Sequence, residues 1–114
     1  MGLQDLTPSV KITIGNNASS DNAMFGPGIY ALCKGVRETG SLNAAAKAMG
    51  MAYSKAWRII KDTEKALGIQ LLVRDGAHGS TLTEDCLKLL DAYDALTAEM
   101  QKASIKAYRA VISQ

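Results

Sequence analysis

The stretch from Gly40 to Arg74, GSLNAAAKAMGMAYSKAWRIIKDTEKALGIQLLVR, decides the fold. Its spacing predicts two helices joined by a tight turn, then a strand. Ser41 follows Gly40 and suits an N-cap, where its hydroxyl accepts a bond from an unpaired helical N–H. Leu42, Ala45, Ala46 and Met49 fall at i, i+3, i+4 and i+7, one apolar face of a short helix. Gly50 is placed to end that helix. A second helix is expected from Tyr53 or Ser54 to about Leu67, with Gly68 just past its end.

The second helix sorts its residues by face. At about 100° per residue, Ala56, Ile59, Ile60, Thr63, Ala66 and Leu67 share one side. Ser54, Arg58, Lys61 and Lys65 share the other, with Trp57 at its edge and Lys55 on a flank. An apolar face anchors a helix to its domain, and a basic face opposite meets phosphates and base edges in a major groove. A plain solvated helix face has the same pattern. The short small-residue helix before it and the strands after it favour the DNA reading, because together they make a helix-turn-helix with a wing.

Working outward, Gly26-Pro27-Gly28 opens an earlier helix, with Pro27 at a first helical position. Ile29, Leu32, Cys33 and Val36 form its core-facing stripe, and Thr39-Gly40 ends it. Before it, Val10 to Ile14 alternates apolar and polar residues, which predicts a half-buried strand. Ala18 to Asn22 is a polar loop, and Met24-Phe25 can pair back on the strand. Downstream, Ile69 to Val73 and Ser80 to Leu82 are expected to pair across the turn Arg74-Asp75-Gly76-Ala77-His78-Gly79. Arg74 and His78 are the polar reach of that wing, toward a minor groove or flanking phosphates. His78 reads equally as an exposed loop residue with no task.

Thr83 caps a final helix whose first turn carries Glu84 and Asp85, where the helix dipole favours negative charge. Neither Gly nor Pro interrupts it before Gln114. Cys86, Leu90, Tyr93, Met100, Ala103, Ala107 and Val111 mark an apolar seam on it, with Leu89 and Leu96 beside it. Core packing accounts for Cys86 to Tyr93 but not for Met100 to Val111. Some thirty helical residues span about 45 Å, whereas a compact domain of this size has a radius of gyration near 13 Å. The helix is therefore expected to protrude, and a second copy of the chain is the simplest partner for its seam.

Gly40 to Leu90 resembles the winged helix-turn-helix of the LysR type, in GSLNAAAKAMGM, then LGIQLLVRDG, then LTEDCLKLL. AYSKAW, the long loop before Leu82 and the lead-in strand look closer still to the N-terminal domain of ModE-like molybdate-responsive repressors. The resemblance implies a DNA-binding transcription regulator with its lead-in ribbon packed at the domain edge. Regulators of both kinds carry ligand-binding domains after this region. The sequence stops at Gln114, so no molybdate or other cofactor is expected.

Composition bounds the alternatives. The 114 residues make one domain: a ribbon and loop over 1–25, a trihelical core and wing over 26–82, and a long helix over 83–114. The net charge of +2 excludes a polybasic surface, so nucleic-acid binding has to come from local clustering. Aromatics, at 5%, are too few for a stacking platform for single strands. The N-terminus lacks a secretory or lipidation signal, and no stretch approaches a membrane span, which predicts a cytoplasmic protein. Cys33 and Cys86 fall on apolar helix faces and read as buried and reduced, with no metal-ligand spacing around them. No acid, base and nucleophile converge, so an enzyme is not expected.

The expected fold is mainly α (α+β): a winged helix-turn-helix with a short N-terminal strand, a β-hairpin wing and a long C-terminal dimerisation helix. The expected function is sequence-specific binding of double-stranded DNA by a homodimer, regulating transcription in a prokaryote. A winged helix used as a protein-interaction module is the alternative. Ser41 would sit at the backbone, and Tyr53, Ser54, Lys55, Trp57, Arg58 and Lys61 would enter or flank the major groove. Arg58 suits a base contact, because a guanidinium bonds two guanine acceptors at once. Lys55, Lys61 and Lys65 suit phosphates. Trp57 either wedges the helix against the domain or touches a sugar.

Overall fold

A computed structural model describes residues 2–18, 23–76 and 79–114. In chain order it has a 3-10 turn at Leu3–Asp5, then α1 (Pro27–Thr39), α2 (Leu42–Ala48) and α3 (Tyr53–Leu67). Strands β1 (Leu72–Arg74) and β2 (Ser80–Leu82) and a last helix, α4 (Glu84–Ile112), complete it. The expected winged helix-turn-helix is this arrangement. Among the described residues no helix is long and apolar enough to cross a membrane.

The trihelical core follows from the faces read in the sequence. Ile29, Leu32, Cys33 and Val36 of α1 are buried, as are Leu42, Ala45 and Ala46 of α2. Met49, the fourth residue of the expected α2 face, instead stands at the helix end and is exposed. On α3, Ala56, Ile60, Thr63 and Ala66 are buried, while Ile59 and Leu67 are partly so. The Thr63 hydroxyl is satisfied inside this apolar face by donating to the Ile59 carbonyl at 2.8 Å. Helices α1 and α2 cross closely at Gly35. A Cβ there would stand 2.7 Å from the Cβ of Ala45, so hydrogen is what fits. Ser41 caps α2 as expected, accepting the Ala44 N–H at 3.0 Å. Gly50, at φ 67°, turns the chain between α2 and α3.

The wing is shorter at its start than expected. Ile69 and Gln70 stay outside the ladder, and Leu71 joins only through its carbonyl, which accepts Thr83 N–H at 2.9 Å. Pairing runs Leu72 to Leu82, Val73 to Thr81 and Arg74 to Ser80, antiparallel. The reason is a competing acceptor. A carboxylate oxygen of Glu64 on α3 takes the N–H groups of Leu71 and Leu72, at 2.7 and 3.2 Å. At its other end the wing is bound to the α1–α2 junction, where Ser80 N–H donates to the Gly40 carbonyl at 3.0 Å.

The N-terminal segment keeps the predicted alternation, with Ile12 and Ile14 half-buried and Lys11 and Thr13 exposed. Its pairing is reduced to one bridge, Ile14 to Phe25, with both N–H···O distances at 2.8 Å. Side chains of α4 bond four further backbone groups of the segment. Tyr93 donates its hydroxyl to the Ile12 carbonyl at 2.9 Å. The Gln101 amide donates to the Pro8 carbonyl at 2.7 Å and accepts from Val10 N–H at 3.1 Å. Tyr108 donates to the Leu3 carbonyl at 2.7 Å. The segment is thus an arm laid along α4. The polar loop expected over Ala18 to Asn22 falls largely outside the described residues.

Helix α4 starts as predicted, with Thr83 accepting from Cys86 N–H at 3.1 Å and Glu84 and Asp85 in its first turn. Its 29 residues make about 44 Å of helix. The chain measures 59 × 32 × 22 Å, with a radius of gyration of 17.1 Å against about 13 Å for a compact chain of this length. The expected protrusion is there. The seam needs correcting at its near end: Leu90 is fully buried and Tyr93 nearly so in the protomer's own core. The Tyr93 ring stacks on Tyr30 at 4.7 Å and meets Phe25 edge-on at 5.6 Å. Those two residues hold α4 to the core and are not available to a second copy. Beyond them Met100, Ala103, Ala107 and Val111 are exposed, and so is Leu96 in the same stripe.

Cys33 and Cys86 are free and buried, as expected. A hydrogen bond to Cys86, and then burial, push the Cys33 thiol well above its ordinary range, so it stays protonated. Among the described residues no cluster of His, Cys, Asp or Glu is arranged to hold a metal ion.

Candidate nucleic-acid interface

Burying one face of α3 leaves the other to solvent. Tyr53, Ser54, Lys55, Arg58, Lys61 and Lys65 are all exposed there, and Trp57 is half-buried at the boundary. Arg58, Lys61 and Lys65 recur at i, i+3 and i+7, so their charges lie along one side over about two turns. Ser41 is half-exposed at the start of α2, where its hydroxyl oxygen accepts the capping bond. The cap uses one oxygen lone pair and leaves the O–H itself able to donate.

The wing returns to the same surface. The Arg74 guanidinium lies over the Trp57 ring, 4.8 Å from its centroid, and donates to the Tyr53 hydroxyl at 3.3 Å. Lys61 lies over the same ring at 5.2 Å. Both fall within cation–π range. Tyr53 meets Trp57 edge-on at 6.4 Å. Around them opens a recess of about 550 Å³ lined by Trp57, Arg58, Lys61, Gln70, Leu72 and Arg74. A second, of about 400 Å³, lies between the start of α2 and the wing, lined in part by Ser41, Asn43, Tyr53 and Arg74.

The structure thus gathers Tyr53, Trp57, Arg58, Lys61 and Arg74 into one group and Ser41 beside it. Lys65 sits a turn farther along α3, and Ser54 and Lys55 on its open flank. His78 lies outside the described residues. Sequence reasoning missed three participants. Gln70 and Asn43 carried no periodic signal. Glu64 did carry one, standing at i+3 from Lys61, with which it pairs at 3.3 Å.

A trihelical core, a two-stranded wing and a cationic outward face on the second helix of the pair define a winged helix-turn-helix DNA-binding protein. The chain belongs to the bacterial regulatory helix-turn-helix proteins of the lysR family, whose sequence model matches residues 31–87. It is 35% identical over 82 residues to the transcriptional regulator ModE of Yersinia pestis, covering 68% of this chain and 31% of that protein. The chain therefore spans about a third of the length of that curated relative. Among solved structures it is similar to the CbnR DNA-binding domain in complex with DNA, with a TM-score of 0.57 and 23% identity. That match covers 72% of this chain and 93% of the other. CbnR, a LysR family transcriptional regulator, matches with a TM-score of 0.52 and 28% identity, over 73% of this chain and 27% of CbnR.

Proposed function

We propose that this chain binds double-stranded DNA as a two-fold dimer in a bacterial cytoplasm and thereby regulates transcription. Helix α3 lies in the major groove, and the wing follows the neighbouring backbone. The observation that carries this reading is the convergence of Arg58, Lys61 and Arg74 on one face in a chain whose net charge is only +2. Charge so concentrated answers a phosphate backbone locally. Arg58 reads a base edge, Lys55, Lys61 and Lys65 meet phosphates, and the capped end of α2 at Ser41 abuts the backbone. The CbnR DNA-binding domain, whose fold this chain shares, is solved in complex with DNA, which supports a DNA-binding reading.

The exposed stripe Leu96, Met100, Ala103, Ala107 and Val111 supports pairing of two α4 helices. A two-fold dimer presents its two α3 helices symmetrically, so its operator is an inverted repeat. Half-site centres are then one helical turn apart, about 34–36 Å, or a multiple of it. Selection from random duplex DNA tests this. Recovery of an inverted repeat whose binding collapses when about five further base pairs are inserted between its halves is the expected result. Equal recovery of all sequences, or no retention of duplex, would overturn the reading and leave a surface for protein partners.

A further inference from the structure

We infer that Trp57 is a positioning residue: its ring sets Arg74 of the wing and Lys61 of α3 as one preformed cationic pair for the DNA backbone. The inference rests on the DNA-binding reading above.

Arginine and lysine on a surface ordinarily sample many rotamers, and ordering them on binding opposes affinity. Here each is held at two points. Arg74 lies 4.8 Å from the Trp57 centroid and donates to the Tyr53 hydroxyl, and Tyr53 is itself set edge-on against the indole. Lys61 lies 5.2 Å from the same centroid and 3.3 Å from a Glu64 oxygen. Rings and a hydroxyl direct the guanidinium without neutralising it, which leaves its charge for a phosphate. Two cations gathered on one ring also repel each other, and an anion placed between them relieves that repulsion.

The indole's own orientation argues against direct contact with DNA. Its Nε1 is shut from solvent and has no hydrogen-bond partner among the described residues, so the N–H is not offered to a groove. What Trp57 offers its neighbours is its ring, with Arg74 and Lys61 lying over it at 4.8 and 5.2 Å. Because Arg74 comes from β1 and Lys61 from α3, the ring also fixes how the wing stands relative to the helix.

Trp57 is the chain's one tryptophan, so its fluorescence reports the arrangement in the free protein. Arg74→Ala should red-shift its emission and raise its quenching by acrylamide. Duplex titrations of the wild type, Trp57→Leu, Arg74→Ala and the double variant then test the role in binding. Arg74→Ala should weaken binding about two- to fivefold, and lose most of that effect in the Trp57→Leu background. Trp57→Phe should restore most of the affinity, since it keeps a ring. Losses that multiply in folded variants overturn the positioning role while leaving DNA binding intact. Absence of duplex binding by the wild type overturns both. Should Trp57→Leu fail to fold, unchanged emission in Arg74→Ala still overturns the proposal.

Discussion

A carboxylate oxygen of Glu64 accepts the backbone N–H of Leu71 at 2.7 Å, and so ties α3 to the strand that begins the wing. The same oxygen reaches Leu72 N–H at 3.2 Å, while the other faces Lys61. Glu64→Ala leaves two N–H groups without this acceptor at a side chain that is 10% exposed. A loss of about 2–4 kcal/mol in urea unfolding is expected, with the m-value unchanged. Glu64→Gln keeps one amide oxygen as acceptor and should lose about half as much. An alanine variant as stable as the wild type would show that the strand is held by its hairpin partner alone.

The roles proposed for the exposed cations of α3 are separable by experiment. Arg58→Ala should cost about 1–3 kcal/mol on the preferred operator and relax preference at one base position. Lys61→Ala should weaken all duplexes alike and lower the salt slope by about one. Titrations on matched and mutated operators at several salt concentrations measure both. If neither variant changes duplex affinity, α3 does not face the groove.

Gly79 stands where the wing returns to the core. Its φ is 101°, and a Cβ would lie 2.3 Å from the Gly40 carbonyl oxygen, which Ser80 N–H also uses. Gly79→Ala therefore strains the backbone and pushes on another backbone atom. A loss of about 2 kcal/mol or more is expected, and DNA affinity falls with it as the wing shifts. Denaturation beside duplex titration checks this, and a neutral result would mean the junction yields easily.

Assembly is expected to fail before the fold does when the far half of α4 is changed. Met100 is 44% exposed, so Met100→Glu in the free protomer alters solvent contact and little else. Sedimentation should show monomer at concentrations where the wild type is dimeric, with thermal unfolding of the winged core preserved. A variant that stayed dimeric would move the interface off this stripe. Truncation near Tyr93 is a poorer test, because it also removes Gln101 and Tyr108, which hold the N-terminal arm.

Tyr30 on α1 donates to a carboxylate oxygen of Asp94 on α4. That bond, then burial and the nearby negative charge, raise its pKa above 10.0. The native state therefore favours the protonated phenol. Its contribution is whole below about pH 10 and fades as pH rises through the higher native value. Tyr30→Phe removes the contribution, and should flatten the stability loss of the wild type above pH 10. Denaturant titrations from pH 8 to 11 would show it, and parallel curves would count against the bond.

What was legible in the sequence was local. Ser41, Gly50, Gly68 and Thr83 act on chain within four residues of themselves, so caps and turns fell where expected. The faces of α1 to α3 followed from helical spacing. Partners far along the chain were not legible. The alternation at Val10 to Ile14 was real, but nothing local foretold that Gln101 would bond Val10 N–H and Tyr93 the Ile12 carbonyl. The length of α4 showed that core packing accounts for its apolar seam only as far as Tyr93. The shared spacing also drew Leu90 and Tyr93 into the expected dimer seam, and both are buried in the protomer. At the interface, Arg58 and Lys61 were readable from periodicity, whereas the meeting of Arg74 with Trp57 depends on where the hairpin lands.

The arm along α4 has a consequence for synthesis. Val10 and Gln101 are 91 residues apart, and Leu3 and Tyr108 are 105 apart. At a ribosome adding about 5–20 residues per second, the arm waits roughly 5–20 s for the helix that receives it. The winged core lies wholly between them and can close first. Throughout that interval Leu3 and Leu6, still 60% exposed in the finished fold, trail from the nascent chain as an uncovered apolar thread.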